Sequence, residues 1–276
     1  MTRARHRAIG RMAHASASAR ARASASAASS ASVTTRRFAS RGGRGGARVT
    51  KTTSFASDAM PFELAMERVD LGKGLSMRIA RPADEDAVVD HYVELGKLDA
   101  DPYWATLWPS AFAAARYLVD APALVRDKTV YDLGAGLGLA GLAACAAGAR
   151  KVVLLDREPL ALACAELSIR ANGFEGRVTT QVFDWNAVDD GQEKFDTLLA
   201  CDVLYEAAAV APVAELVPKL VRGGGGRFLI GDPPLRAPKN RARFKSLLTE
   251  QYGAFVMREL EVMEGSDSLI LIDFKL

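Results

Sequence analysis

The sequence predicts an α/β fold: a seven-stranded, mostly parallel sheet with helices on both faces and an antiparallel strand in a C-terminal hairpin. Three observations carry this. Short apolar runs alternate with segments of helical period between residues 109 and 252, the pattern of strand–helix units whose parallel strands are covered on both faces. The first of those strands ends in Asp132-Leu133-Gly134-Ala135-Gly136-Leu137-Gly138, a glycine-rich turn that opens a helix. The last two apolar runs, 256–262 and 268–274, flank Glu264-Gly265-Ser266-Asp267, a hairpin connection.

Each element has a local reason. Residues 78–82 read as the end of a short strand and 84–96 as a helix. Pro109 suits the first turn of a helix, where its missing N–H leaves no bond unmade. Phe112, Ala115, Leu118 and Val119 then recur at helical spacing. Residues 128–133 (KTVYDL) form the first sheet strand, and 139–147 a small-residue helix stopped by Gly148. Residues 151–156 (KVVLLD) are the second strand. A helix over 159–171 follows, with Leu160, Ala163, Cys164 and Leu167 on one face and Asn172-Gly173 after its end. Strands at 177–183 and 195–201 lead to a helix over 208–221, bent at Pro218 and closed by four glycines. A strand at 226–230 and a helix over 239–252 precede the hairpin. No internal repeat is visible.

Charge divides the chain. Twelve of its 36 basic residues lie in 1–51, ahead of the first acid, Asp58, so the remainder holds 24 basic against 33 acidic residues, a net charge of −9. An acidic body disfavours general nucleic-acid binding, which rests on neutralising phosphates. Residues 1–57 contain 15 Ala and 10 Ser and no Leu. Such a stretch buries too little apolar surface to offset its ordering entropy. Arg-rich, Ser-rich and acid-free, it reads as a transit peptide for a mitochondrion or chloroplast, with delivery to matrix or stroma. A basic arm contacting RNA through Arg41-Gly42-Gly43-Arg44-Gly45-Gly46 is the alternative. The domains expected are thus a disordered leader over 1–57, an N-terminal extension over 58–100 and the α/β domain over 101–276. No apolar run reaches the roughly 20 residues that span a bilayer, so no membrane partner is expected. Cys145, Cys164 and Cys201 are too few and too scattered for a disulfide framework or a zinc site, and no metal is expected.

The glycine loop is the first chemical signal. Glycines there let the backbone turn sharply and approach a ligand. Asp156 ends the next strand, where an acid commonly takes the two hydroxyls of a ribose. No Gly-Lys-Ser/Thr follows the loop, so it is not a triphosphate-binding P-loop. Asp132 stands two residues before the first glycine, a carboxylate that disfavours a pyrophosphate and suits a cationic ligand. A ligand joining a ribose to positive groups is S-adenosyl-L-methionine.

At this point the sequence resembles the seven-strand (class I) S-adenosylmethionine-dependent methyltransferases over about residues 100–276, with Asp132-x-Gly134-x-Gly136-x-Gly138 as the first motif. The segment Pro102-Tyr103-Trp104-Ala105-Thr106-Leu107-Trp108-Pro109-Ser110 and the tetrad Asp202-Val203-Leu204-Tyr205 are similar to the protein-lysine methyltransferase branch. Gly231-Asp232-Pro233 is similar to the group within it that modifies the electron-transfer flavoprotein beta subunit, although Pro234 stands where that group has Gly. The resemblance implies a Rossmann-like sheet, S-adenosyl-L-methionine as cofactor and a protein substrate presenting a lysine. It also implies site residues. Asp132, Gly134, Ala135, Gly136, Gly138 and Asp156 would bind the cofactor, with Trp108 at its methionine end. Asp184 and Trp185 would meet the adenine, and Cys201 would offer a backbone contact. Asp202 would be the catalytic carboxylate and Tyr205 a wall of the lysine channel.

Other readings stay open. Trp104 reads as packing or a channel wall, and Asp184 as a solvent-facing loop acid if not a ligand. Asp232-Pro233-Pro234 resembles the loop of enzymes that methylate planar nitrogens, but it follows the fifth strand rather than the fourth, and Leu235 replaces the aromatic residue. His91 carries no visible catalytic pattern. Methylation of a small molecule or RNA, an NAD(P)-dependent oxidoreductase and a non-catalytic cofactor-binding module are the alternative functions.

Overall fold

The computed structural model describes residues 36–37, 49–57, 60–97, 100, 102–187, 191–252, 256–264 and 267–275, all within one unit, Val33–Leu276. Most of the segment assigned to the leader lies outside these residues. Strand β1 (Arg36–Arg37) is two residues long. Strands β2 (Val49–Phe55), β3 (Leu64–Gly72) and β4 (Leu75–Pro82) form a separate three-stranded antiparallel sheet. The sequence reading stands corrected here on β2, which falls inside the stretch assigned to a disordered leader. Its backbone pairs with β3 from Val49↔Val69 to Phe55↔Leu64, and a paired ladder can order a segment that is too polar to order itself. The alternation of buried and exposed residues along β3 shows one face packed and one solvated.

Helix α1 (Glu85–Glu94) begins at Asp84, whose side chain accepts from the Asp86 N–H, a standard N-cap. Helix α2 (Pro109–Asp120) starts with proline at its first position and buries Ala115 and Leu118, as the spacing predicts. Strand β5 (Thr129–Leu133) is buried throughout, and α3 (Leu139–Ala146) is buried at Leu139 and at every residue up to Cys145. Strand β6 (Lys151–Asp156), helix α4 (Pro159–Asn172), strands β7 (Val178–Val182) and β8 (Thr197–Cys201), helix α5 (Ala207–Leu220), strand β9 (Arg227–Asp232) and helix α6 (Pro238–Tyr252) continue the alternation. The chain closes with β10 (Val256–Glu264) and β11 (Asp267–Lys275).

The large sheet has the order β1-β10-β11-β9-β8-β5-β6-β7. The seven expected strands are present, with β1 added beyond β10. Strands β5 to β9 run parallel, and β11 pairs antiparallel with both β9 and β10. The reversed strand, β11, therefore lies inside the sheet, between β9 and β10. The hairpin folds back so that its second arm, the apolar SLILIDF run, takes the covered position beside β9.

The small sheet is joined to the large domain through α4. Ser168 Oγ accepts from the Ala80 N–H at 2.8 Å, and Asn172 both accepts from Arg78 N–H at 2.9 Å and donates to its carbonyl at 2.7 Å. These bonds satisfy the outer edge of β4, which would otherwise be open to strand pairing. The register brings the carboxyl ends of β5, β6, β8 and β9 to one edge: Leu133 pairs with Leu155 and with Ala200, and Cys201 with Gly231. Strand order reverses between β5 and β8. Ligands bind in open α/β sheets at that crevice.

Candidate active site

A cavity of about 340 Å³ opens at this crevice, within the usual range for a small-molecule site. Of the twelve site residues expected from sequence, eleven line it: Trp108, Asp132, Gly134, Ala135, Gly136, Asp156, Asp184, Trp185, Cys201, Asp202 and Tyr205. Gly138 does not. It caps α3 in left-handed backbone at φ 81°, and a Cβ there would lie 2.8 Å from Leu154 Cδ1. It packs α3 closely on β6.

Gly134 and Gly136 also have left-handed backbone, at φ 64° and 53°. A Cβ on Gly134 would sit 2.9 Å from Val203 Cγ1 and 3.6 Å from the Trp185 ring, so the loop presents bare backbone to the cavity. Asp156 braces this loop: its Oδ2 accepts from Gly136 N–H at 2.8 Å and its Oδ1 from Glu158 N–H at 2.9 Å. Burial pushes its carboxyl up, and those two bonds pull it back. Asp132 is buried. Its Oδ2 accepts from the Gly141 N–H at 2.8 Å, and burial raises its carboxyl to about 7, with the Asp156 charge adding to the rise. The geometry requires glycine at 141, because a Cβ would fall 2.3 Å from Leu154 Cδ2 and 2.9 Å from Asp132 Oδ2. A carboxylate held at neutral pH in such surroundings is stabilised by a cation.

On the far side of the cavity, Asp184 accepts at Oδ1 from the backbone N–H and the side-chain amide of Asn186, at 2.9 and 3.0 Å. This Asx turn fixes an exposed carboxylate whose other oxygen carries none of these bonds. The Cys201 thiol is raised well above its ordinary range by burial, then by Asp132 and Asp202, so it is no thiolate nucleophile. Trp104 packs, donating Nε1 to Tyr92 Oη at 2.9 Å, and also lines the cavity.

Asp202 follows β8 in left-handed backbone, φ 58°, with its N–H bonded to Gly231 O at 2.8 Å. Its carboxyl titrates at about 6: burial raises it, Arg236 opposes that, and Asp232 adds to the rise. Oδ2 accepts from Arg236 Nη1 at 2.7 Å, whereas Oδ1 is buried, and the Ser110 hydroxyl also favours the ionised carboxylate. Around this carboxylate stand three aromatic rings. Tyr103 meets Trp108 edge-on at 5.9 Å and Tyr205 edge-on at 6.1 Å. Arg236 is absent from the sequence expectations, as are Tyr103 and Glu158. No spacing rule reaches a cation 34 positions beyond its partner.

Residues 101–233 match the family model for lysine methyltransferases. The electron transfer flavoprotein beta subunit lysine methyltransferase of Mus musculus is 37% identical over 134 residues, 49% of this chain and 51% of its own. The Homo sapiens enzyme of the same name is 33% identical over 49% and 50%, so the chain spans about half the length of these relatives. The protein-lysine N-methyltransferase EEF2KMT of Mus musculus is 31% identical over 36% of this chain and 34% of its own. Among solved structures, the methyltransferase SMU.776, complexed with SAH, superposes at a TM-score of 0.55 with 12% identity, covering 80% of this chain and 58% of its own. A T. thermophilus 16S rRNA methyltransferase does so at 0.52 with 19% identity, covering 77% and 50%. Those two likenesses concern the fold. The matched stretch contains the glycine loop, Asp156, Asp202 and Asp232. Among the described residues no helix is long and apolar enough to cross a membrane, and no group of His, Cys, Asp and Glu could hold a metal ion.

Proposed function

We propose that the protein is an S-adenosylmethionine-dependent protein-lysine N-methyltransferase. One observation carries the reading: a buried carboxylate, Asp202, lines a glycine-rich cavity together with the rings of Tyr103, Trp108 and Tyr205. A cation with an N–H to donate and an apolar stem is the chemistry that satisfies such a place. The names of the similar lysine methyltransferases support the same substrate class.

The cavity fits S-adenosylmethionine on its own features. Left-handed glycines leave room for close approach of a ligand to backbone. Asp132, its carboxyl raised by burial to about 7, would face the ligand's positive end, while Asp156 would take the ribose hydroxyls through lone pairs its two loop bonds leave open. Asp184 and Trp185 would hold the adenine. When bound, S-adenosylmethionine supplies a methyl group already activated by its sulfonium, so transfer needs no metal and no covalent enzyme intermediate.

The chain's own residues orient the nucleophile. The Asp202 carboxylate attracts the incoming lysine ammonium into the part of the cavity lined by Tyr103, Trp108 and Tyr205. Reaction requires the amine to lose its proton, which a nearby cation and partial desolvation both favour. That proton leaves to water; Asp202, charged above about pH 6, keeps the nitrogen in line. In-line attack needs reacting atoms roughly 3–3.5 Å apart, and the carboxylate sets that approach. The deciding experiment is transfer of tritiated methyl from S-adenosylmethionine to recombinant electron transfer flavoprotein beta subunit, followed by mass mapping. Label on lysine supports the reading; label on another residue type, or none in this protein or an organelle extract, refutes it. We further propose that the Arg- and Ser-rich leader directs import into an organelle, on composition.

A further inference from the structure

The Asp202 carboxylate is held from several directions. Its side chain is 4% exposed, and its partner Arg236 is 34% exposed. The Arg236 guanidinium also lies over the Trp108 ring, 4.5 Å from the centroid, a cation–π contact. The loop that carries Arg236 is anchored from beneath. Arg241, itself buried, donates to Asp232 and to the Pro233 and Pro234 carbonyls, the latter two at 3.1 and 2.8 Å. Asn240 Nδ2 donates to Leu204 O at 2.8 Å, tying the start of α6 to the turn after Asp202.

From these contacts we infer that Arg236 is a positioning residue for methyl transfer: by binding Oδ2 and stacking on Trp108 it fixes the orientation of the Asp202 carboxylate at the cavity that receives the substrate cation. This rests on reading the cavity as a lysine-methylating site. A carboxylate free to rotate would offer either oxygen, and the bound nitrogen would point in a range of directions. With Oδ2 fixed by an arginine that is itself stacked on a cavity wall, the acceptor direction is set by the fold. Alignment of that kind is the main thing a methyl transfer asks of the protein.

An electrostatic consequence follows. The groups facing Asp202 are Asp232 from the end of β9, which opposes ionisation, and Arg236 with the Ser110 hydroxyl of α2, which favour it; Cys201 precedes it as a neutral thiol. Burial outweighs the favourable pair and brings the carboxyl to about 6. Without Arg236 it titrates higher, and near neutral pH part of the enzyme then holds a neutral acid that attracts no ammonium.

Arg236→Gln and Arg236→Lys test this in the full chain. Carboxyl-labelled aspartate followed by carbon-13 NMR reads the Asp202 titration directly, with no substrate present. The midpoint should move up in Arg236→Gln and less in Arg236→Lys. Methyl transfer to recombinant electron transfer flavoprotein beta subunit should fall about 10-fold or more at pH 7 in Arg236→Gln, the scale of one hydrogen bond to a charged group. Part of the loss should return at higher pH, Arg236→Lys should be intermediate, and calorimetric affinity for S-adenosylmethionine should hold. An unmoved Asp202 midpoint with an unmoved acidic limb overturns the inference, as does faster turnover by Arg236→Gln, which would make the guanidinium an obstruction. Absence of lysine methylation by the wild type overturns the reading of the cavity, and this inference with it. Normal wild-type activity with an unaltered Arg236→Gln enzyme overturns this inference alone.

Discussion

Replacing Asp202 with Asn should move activity and stability in opposite directions. The change keeps the shape of the side chain and suits the backbone, since Asn tolerates the left-handed φ of 58° better than most residues. It removes a charge that the fold holds at some expense. The carboxyl titrates at about 6 in the folded protein against 3.8 unperturbed, so the folded state binds the proton more tightly. Stability from this group therefore falls as pH rises from about 4 through 6, and above 6 the ionised carboxylate costs up to about 3 kcal/mol. Asn escapes that penalty while its amide oxygen still accepts from Arg236. Thermal unfolding at pH 7.5 should shift upward by several degrees, at roughly 2–4 °C per kcal/mol for a domain of this size. The wild type should approach the variant's stability as pH falls below 5. Turnover should fall by roughly 10- to 150-fold, because a substrate ammonium loses its charge-assisted acceptor, worth about 1.5–3 kcal/mol. Calorimetry should show cofactor affinity little changed. A variant that melts below the wild type would refute the account of a carboxylate buried against its own stability. One that turns over normally would remove Asp202 from the reaction.

Asp132 carries a second pH signature: its carboxyl is held at about 7, and a cationic ligand prefers the ionised form. Affinity for S-adenosylmethionine should therefore rise between pH 6 and pH 8 and flatten in Asp132→Asn; a flat wild-type profile by calorimetry would contradict this. Gly141→Ala should destabilise by roughly 1–3 kcal/mol, because its Cβ would meet Leu154 and Asp132 at 2.3 and 2.9 Å, and denaturant unfolding measures it. If the leader is removed on import, the ladder between Val49–Phe55 and β3 places the cut before Val49. N-terminal sequencing of imported protein starting beyond Phe55 would show that β2 is dispensable.

The strand–helix alternation, the glycine turn and the acids at strand ends were legible because each is written in consecutive residues. Periodicity reports which face of an element is buried, and a glycine-rich turn between strand and helix has few other uses. That is enough to bring Asp132, Asp156 and Asp202 to one edge of a parallel sheet, and so to foresee most of the cavity. The motif does not say which glycine lines the cavity and which packs against a neighbouring strand; for Gly138, Leu154, sixteen positions away, decides that. The small sheet was legible only at the end of β4, since β2 gains its order from pairing with β3 and not from its own apolar content. Likewise a hairpin signal gives two strands but not which of them lies against β9. Arg236 was invisible for the same reason. Its loop reads as a proline-rich rim, and only the folded chain shows the guanidinium returning across the crevice to Asp202 and Trp108. The sequence by itself determined the elements, their handed alternation and the carboxylates at the sheet edge, since these follow from local periodicity and strand connectivity. How Asp202 is held, and how far each carboxyl is pushed toward neutrality, was decided by tertiary structure alone, because burial and charge pairing act between residues that only folding makes neighbours.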